Sequence, residues 1–149
     1  MTPYDDNFPT CRKTYTALRI FSDTVRPEFI TAKLRVDPSD SFSKGDQYGD
    51  GRFFRKFNGW FLSSENKIGS KDTRRHVDWL ISEIANRENE LKELRGMGVE
   101  IDVSCFWLST GQGGPVIGPA QMKELSRLDL EIWWDVYFDN GESNGSNPA

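Results

Sequence analysis

The sequence predicts an α+β fold, a ferredoxin-like two-layer sandwich in which helices cover one face of a largely antiparallel sheet. The first observation is the apolar spacing, which alternates along the 149 residues between the strand period of two and the helical period of about 3.6. The second is the resulting order of strand, helix, strand or hairpin, long helix, strand, helix and strand. The third is that a strand-helix-strand unit occurs at both ends, each with a proline opening its helix, which favours two related halves.

The first half opens with a strand at 14–22. Its period-two pattern puts Leu18 and Ile20 on one face and leaves aromatic side chains on the other. A short helix follows at Pro27, because a residue that lacks an N–H costs nothing at the first helical position. These residues predict a strand that leads into a helix.

The connection to the long helix is less regular. Residues 37–51 collect the types that favour turns, and 52–65 resumes either as a strand or as a hairpin around Asn58-Gly59. The long helix then begins near Asp72 or Thr73, and the side-chain oxygen of either residue can accept a backbone N–H at the helix start.

One apolar stripe runs along this long helix, and its members are Val77, Leu80, Ile81, Ile84, Leu91 and Leu94. The polar stretch around Asn86 leaves two alternatives open, one long helix or two helices that meet there. Gly96 and Gly98 end the element, since glycine readily takes the left-handed conformation found at helix C-termini.

Two strands of the second half carry the candidate binding residues. The inward side chains of the strand at 99–109 are Val99, Ile101, Val103, Cys105 and Trp107. In the last strand, 130–138, one side carries Leu130, Ile132, Trp134, Val136 and Phe138. The opposite face then carries aromatic side chains among polar ones, namely Asp102, Ser104, Phe106, Trp133, Asp135 and Tyr137.

Length and composition favour one domain at 14–138, with an N-terminal arm at 1–13 and a disordered tail at 139–149. The net charge of −4 argues against nucleic acid as a partner. No apolar run approaches the roughly 20 residues of a membrane span, and the first residues lack the pattern of a signal peptide. The two cysteines show neither metal nor redox spacing. A cytoplasmic location is therefore expected.

Several segments carry a family resemblance: "RPEFITAKL" with "DPSDSFSKG", then "NGWFLSS", "VEIDVSCFW", "GPAQMKELSRLDLEI" and "WDVY", together with His76. In this pattern the sequence is similar to a bacterial family known only as domain of unknown function 4279. The likeness runs from about Tyr15 to Tyr137. It implies the same fold and a small bacterial cytoplasmic protein, and it implies no particular activity.

A glycine-rich loop, "STGQGGPVIGP" at 109–119, raises the question of phosphate binding. A dinucleotide loop needs the spacing G-x-G-x-x-G, and a Walker loop needs a lysine and a hydroxyl residue after its last glycine. This loop has neither, and Pro119 removes an N–H from the helix end that would face a phosphate. A turn between strand and helix is the favoured interpretation, and no cofactor is predicted.

Metal and catalytic patterns are equally weak. His76 is the single histidine, so the chain lacks the ligands of a zinc site, and no serine lies in a nucleophile pattern. Asp102 and Asp135 lie on two strands and are candidates for an acid–base pair, although alternating acidic residues on strands are usually a solvated face. No metal site is predicted.

Three functions remain open. The favoured hypothesis is a non-catalytic protein that binds a protein partner, such as a toxin that it neutralises, through the aromatic and acidic face around Phe106 and Trp133. The alternatives are a small-molecule sensor with a pocket between the sheet and 37–65, and an enzyme that uses Asp102 and Asp135. The competing structural interpretation is that 37–65 or the N-terminal arm folds over this face and makes it a second small core.

Overall fold

A computed structural model describes residues 2–139, so the predicted disordered tail beyond Asp139 lies outside the described residues. The helices are Pro27–Leu34 (α1), Thr73–Ile84 (α2), Glu88–Gly96 (α3) and Pro119–Arg127 (α4). The strands are Cys11–Ser22 (β1), Asp40–Phe42 (β2), Gln47–Tyr48 (β3), Phe53–Phe54 (β4), Asn58–Ser63 (β5), Glu100–Ser109 (β6) and Ile132–Phe138 (β7). None of these helices combines the length and the apolar composition needed to cross a membrane.

The main sheet has five strands in the order β2-β5-β1-β6-β7. β1 is antiparallel to both β5 and β6, and β2 is antiparallel to β5. The elements β1, α1, β2, β5, α2 with α3, and β6 therefore form the ferredoxin-like β-α-β-β-α-β arrangement. α4 and β7 extend this arrangement by one strand, which is parallel to β6. The predicted α+β fold with a largely antiparallel sheet is confirmed.

The two strand-helix-strand units at the ends of the chain pair their strands differently. In the first unit, β5 lies between β1 and β2. In the second, β6 and β7 are direct neighbours, with a register that runs from Val103 beside Ile132 to Ser109 beside Phe138. Parallel neighbours need a crossover, and α4 supplies it. β7 is the last strand in the sheet order and therefore forms one edge of the sheet.

Within residues 2–139, the helices and one face of the sheet enclose an apolar core. The six side chains predicted as the helical stripe, Val77, Leu80, Ile81, Ile84, Leu91 and Leu94, are all buried in it. Leu18 and Ile20 of β1 are completely buried on the sheet side. Trp60 of β5 is also completely buried, and its Nε1 donates to Thr31 Oγ1 on α1 at 2.9 Å.

The long helical segment is two helices, since α2 ends at Ile84 and α3 begins at Glu88. Of the two predicted caps, Asp72 is the one that caps α2, because its carboxylate accepts the Arg74 backbone N–H at 2.9 Å. Gly98 follows α3 with a φ of 82°, in the left-handed region. The chain thereby turns directly from α3 into β6.

The hairpin predicted as one alternative around Asn58-Gly59 is wrong, and the strand alternative is confirmed. Both residues lie in β5, which pairs with β1 on one side and with β2 on the other. Gly59 is needed for packing rather than for a turn, because a Cβ there would lie 2.5 Å from the ring of Phe42. The short hairpin of this region comes earlier, where β3 pairs with β4.

The N-terminal arm packs on the helix side of the sheet. The Asp5 N–H donates to the Asp72 carboxylate at 2.7 Å, and the Phe8 ring meets the Trp107 ring edge-on at 5.3 Å between centroids. β1 begins at Cys11, earlier than the predicted strand start at 14. These contacts hold the arm away from the opposite face of the sheet.

Candidate functional site

We call the face of the main sheet opposite the helices the open face. The strand registers align its side chains in rows across the sheet. One row is Tyr15, Phe106 and Asp135, the next is Ser63, Ala17, Ser104 and Trp133, and the third is Phe61, Arg19 and Asp102. All six predicted site residues lie on this face, with Tyr137 next to the first row. Their role in binding stays a prediction.

An aromatic ridge, formed by Tyr15, Phe106 and Tyr137, crosses three strands of the open face. The rings of Tyr15 and Phe106 stack with 4.8 Å between centroids, and those of Phe106 and Tyr137 lie 5.4 Å apart. Burial raises the pKa of the Tyr15 hydroxyl, and the carboxylate of Glu65 adds to this effect. Mutual stacking holds the ridge as a rigid apolar surface.

Trp133 stands at the edge of the sheet beside a row of small side chains. Ala17 aligns with Ser63 on one side and with Ser104 on the other. The indole of Trp133 is 57% exposed, and its Nε1 donates to the Glu131 carboxylate. The Trp133 ring projects above the neighbouring small side chains, so a side chain of a partner can pack against the ring and over the small residues at the same time.

An ion pair borders the other side of this row. Arg19 Nε and Nη2 donate to the two carboxylate oxygens of Asp102 at 2.8 and 2.9 Å. The Arg19 guanidinium also lies 5.9 Å from the centre of the Phe21 ring. Arg19 is not among the site residues that the sequence predicts. Its position between Tyr15 and Phe21 in the period-two pattern was the available signal, but its partner lies 83 positions away along the chain.

The structure does not bring Asp102 and Asp135 together. Asp135 aligns with Phe106, four positions along β6 from Asp102. That offset corresponds to about 13 Å at the usual strand rise of about 3.3 Å per residue. Carboxylates that share acid–base work lie within about 9.5 Å of each other. Asp102 is moreover held by Arg19, so this geometry does not favour the acid–base hypothesis.

β7 exposes apolar side chains on its other face as well. Trp134, Val136 and Phe138 lie on the helix side, yet 44%, 44% and 78% of their surface is exposed. They share one side of β7 as predicted, but no described element shields them. Leu130 is buried, and Ile132 packs partly against the core.

An acidic groove of about 520 Å³ lies at the start of β7. Its charged lining consists of the side chains of Glu100, Asp102, Asp129, Glu131 and Arg95, and the Trp133 ring forms one wall. Arg95 donates to the carbonyls of Leu128 and Asp129 at 3.1 and 2.7 Å, and its Nε lies 4.0 Å from the Asp129 carboxylate. The excess of carboxylates makes this groove attractive to a cationic side chain.

The profile of a family described as a domain of unknown function, DUF4279, matches residues 12–139. The chain belongs to the DUF4279 family. The match includes β7 and nearly all of β1, so the whole open face lies within it. Comparison with curated proteins and with solved structures gave no match. The predicted family resemblance is confirmed, and the family description supplies no activity for the DUF4279 domain.

A buried polar cluster surrounds His76 on the helix side of this DUF4279 domain. The Ser70 carbonyl accepts from His76 Nε2 at 2.7 Å, so Nδ1 accepts from the Ser64 hydroxyl at 2.7 Å. Burial lowers the pKa of His76. Ser64 and His76 are 0% and 1% exposed, which leaves a substrate no access to the pair. The cluster joins α2 to the segment after β5 and has a structural role.

We expect the DUF4279 domain to lose stability as the pH is lowered from 7 towards 5. Below about pH 6.5 the unfolded chain takes up a proton on its histidine, whereas folded His76 resists because burial lowers its pKa. The unfolded state then binds more protons than the folded state, so the free energy of unfolding decreases as the pH is lowered. Urea denaturation at several pH values measures this slope. In His76→Gln the free energy of unfolding should depend less steeply on pH. An unchanged pH dependence in that variant would assign the effect to other groups.

The glycine-rich loop connects β6 to α4. Gly113 has a φ of 115°, and a Cβ there would lie 2.9 Å from Thr10 Oγ1. Gln121 Oε1 accepts the Gly118 N–H at 2.8 Å, while its Nε2 donates to Asp78 on α2 at 2.8 Å. The N-terminus of α4 is thus capped by the Gln121 side chain of the same helix. Among residues 2–139, no three side chains of metal-binding type converge.

Proposed function

We propose that this DUF4279 domain binds a protein partner through the open face and is not a catalyst. The observation that carries the proposal is the exposure of Trp133 and Tyr137, 57% and 51%, beside the half-buried Phe106. Tyrosine and tryptophan supply large, rigid contact areas and dominate binding hot spots. Because the ridge is held on neighbouring strands, little ordering is needed when a partner binds.

Charge supports a basic partner. Asp135 lies between Trp133 and Tyr137 on the same face of β7, and the whole chain carries a net charge of −4. Complementary charge speeds association and selects among partners. A toxin that acts on nucleic acid needs a basic surface for the phosphate backbone, and covering that surface would neutralise it. Toxin neutralisation is therefore the specific form of the proposal.

We place this activity in the cytoplasm of a bacterium. Cys11 and Cys105 are free and buried. Burial raises the pKa of each thiol to about 11. Such thiols are unreactive, and free cysteines are the ordinary state of proteins in a reducing compartment.

Affinity capture with matched variants tests the proposal. Wild type, Trp133→Ala and Phe53→Ala are immobilised and exposed to extracts of the cells that naturally produce the protein. Phe53 is 53% exposed but lies in the β3–β4 hairpin, outside the main sheet, and so serves as the control. A stoichiometric partner should be retained by wild type and Phe53→Ala and lost by Trp133→Ala. Equal retention by all three, or no stoichiometric partner at all, contradicts the proposal.

A second candidate function, binding of a small molecule, is favoured by one observation. A pocket of about 300 Å³ lies between Phe21 and Glu100 of the sheet and Phe57 of the 37–65 segment. This is where the sensor hypothesis places its ligand, although the volume is at the lower end for ligand pockets. Under this function, Phe57→Ala weakens ligand binding and Trp133→Ala leaves it unchanged.

A further inference from the structure

β7 is an edge strand whose outer side is unpaired within residues 2–139. On its inner side, the Glu131 carbonyl accepts the Val103 N–H at 3.0 Å, and the Asp139 N–H donates to the Ser109 carbonyl at 2.7 Å. Backbone groups alternate in direction from one strand residue to the next. The N–H and carbonyl groups that point outward are therefore those of Ile132, Trp134, Val136 and Phe138.

The two edges of the sheet differ in length and protection. The edge strand β2 has three residues, begins with Asp40 and is followed by the β3–β4 hairpin. β7 has seven residues, of which Asp135 is the one charged residue. Long apolar edge strands are templates for pairing with another chain, and short or charged strands protect against it. The β7 edge is the unprotected one.

The two faces of β7 specify the side chains of an added strand. On the open face acidic and aromatic residues alternate, in the order Glu131, Trp133, Asp135 and Tyr137. On the helix side all four residues are apolar, namely Ile132, Trp134, Val136 and Phe138. The acidic groove at the start of β7 adds the carboxylates of Glu100 and Asp129 near that end of the strand. A strand beside β7 fits best with cationic residues on one face and apolar residues on the other.

We infer that the protein partner docks by adding a β-strand to the free edge of β7, and that this strand alternates cationic with apolar side chains. The inference rests on the proposed function, because it specifies how the partner of the open face is held. Backbone hydrogen bonds to β7 give the strand its position, and the side chains on the two faces give it selectivity.

A second copy of the chain fits this edge less well. Antiparallel pairing of two β7 strands over their full length sets Asp135 opposite Asp135 at the two-fold axis. Like charges directly opposite each other destabilise strand pairs. Two chains that each carry a net charge of −4 also repel each other at longer range. The edge therefore favours a basic partner over self-association.

The probe for strand addition is a terminally blocked peptide that alternates lysine and valine and matches the seven residues of β7. One control peptide has methyl groups on alternate backbone nitrogens, which removes strand hydrogen bonds while it keeps the side chains. A second control has glutamate in place of lysine. The protein variants are Val136→Pro, which removes an outward N–H at an edge position where proline is tolerated, and Val136→Ala, which alters only the side chain.

We expect the lysine-valine peptide to bind wild type and Val136→Ala and to slow hydrogen exchange at the Trp134 N–H. Binding to Val136→Pro should be weaker by about tenfold, the effect of one lost hydrogen bond with its unsatisfied partner. The methylated and glutamate peptides should be weaker by at least a similar factor. Circular dichroism checks the fold of Val136→Pro, and the methylated peptide tests the same hydrogen bonds on the unaltered protein.

Several results overturn the inference: no binding of the lysine-valine peptide, equal binding by Val136→Pro and Val136→Ala, or no protection of the Trp134 N–H. Sedimentation that shows a dimer with this N–H protected in the absence of peptide would assign the edge to a second copy. The affinity capture separates the inference from the proposed function. A partner that is lost by Trp133→Ala but retained by Val136→Pro binds the open face without strand addition.

Discussion

Replacement of Trp60 by alanine should lower the free energy of unfolding by about 3–5 kcal/mol. The indole is completely buried in β5, and its Nε1 donates to Thr31 Oγ1 on α1 at 2.9 Å. Truncation leaves a cavity between the sheet and α1 and removes a hydrogen-bond partner of the Thr31 hydroxyl. The closely packed core can collapse only partly into that space.

Urea denaturation monitored by circular dichroism measures the effect of Trp60→Ala. Two controls bracket it. Phe53→Ala removes an aromatic side chain that is 53% exposed and should change the free energy of unfolding by less than about 1 kcal/mol. Trp60→Phe keeps most of the volume and should lie between these values. A loss below about 1 kcal/mol for Trp60→Ala would mean that α1 does not pack on β5 in solution.

Trp133→Ala should weaken partner binding strongly while it changes the stability of the fold only slightly. We expect it to weaken binding of the captured partner by about 2 kcal/mol or more, which corresponds to roughly thirtyfold in the dissociation constant. The same change should reduce the free energy of unfolding by less than about 1 kcal/mol, because the indole is 57% exposed. If the open face were a second small core, the loss of stability would instead be about 3–5 kcal/mol.

Both quantities should be measured on the same purified variant, stability by urea denaturation and binding by calorimetry with the captured partner. Phe53→Ala is again the matched control, since it removes an exposed aromatic residue outside the main sheet. A core-sized loss of stability without a separate binding defect would contradict the open-face proposal. Tyr137→Ala, at 51% exposure on the same face, should reproduce the binding defect of Trp133→Ala in a second position.

Local sequence patterns predict the order of the longer strands and the helices and the face that their residues occupy, but not the short strands β2, β3 and β4. The stripe that contains Leu80 and Ile84 is buried, and Asp72 caps α2, as their local patterns predict. The six candidate binding residues share one face for the same reason. Side-chain direction repeats every two residues in a strand and about every 3.6 in a helix, so it depends on neighbours that are close in sequence.

Long-range packing, in contrast, sets which residues meet across the sheet and which faces stay uncovered. Arg19 binds Asp102, while Asp135 aligns with Phe106, because strand order and register are set by contacts between distant segments. Trp134 lies on the apolar side as its pattern predicts, yet it is 44% exposed since β7 extends past the cover of the helices. An apolar pattern fixes the direction of a side chain, but burial also requires a second layer above it.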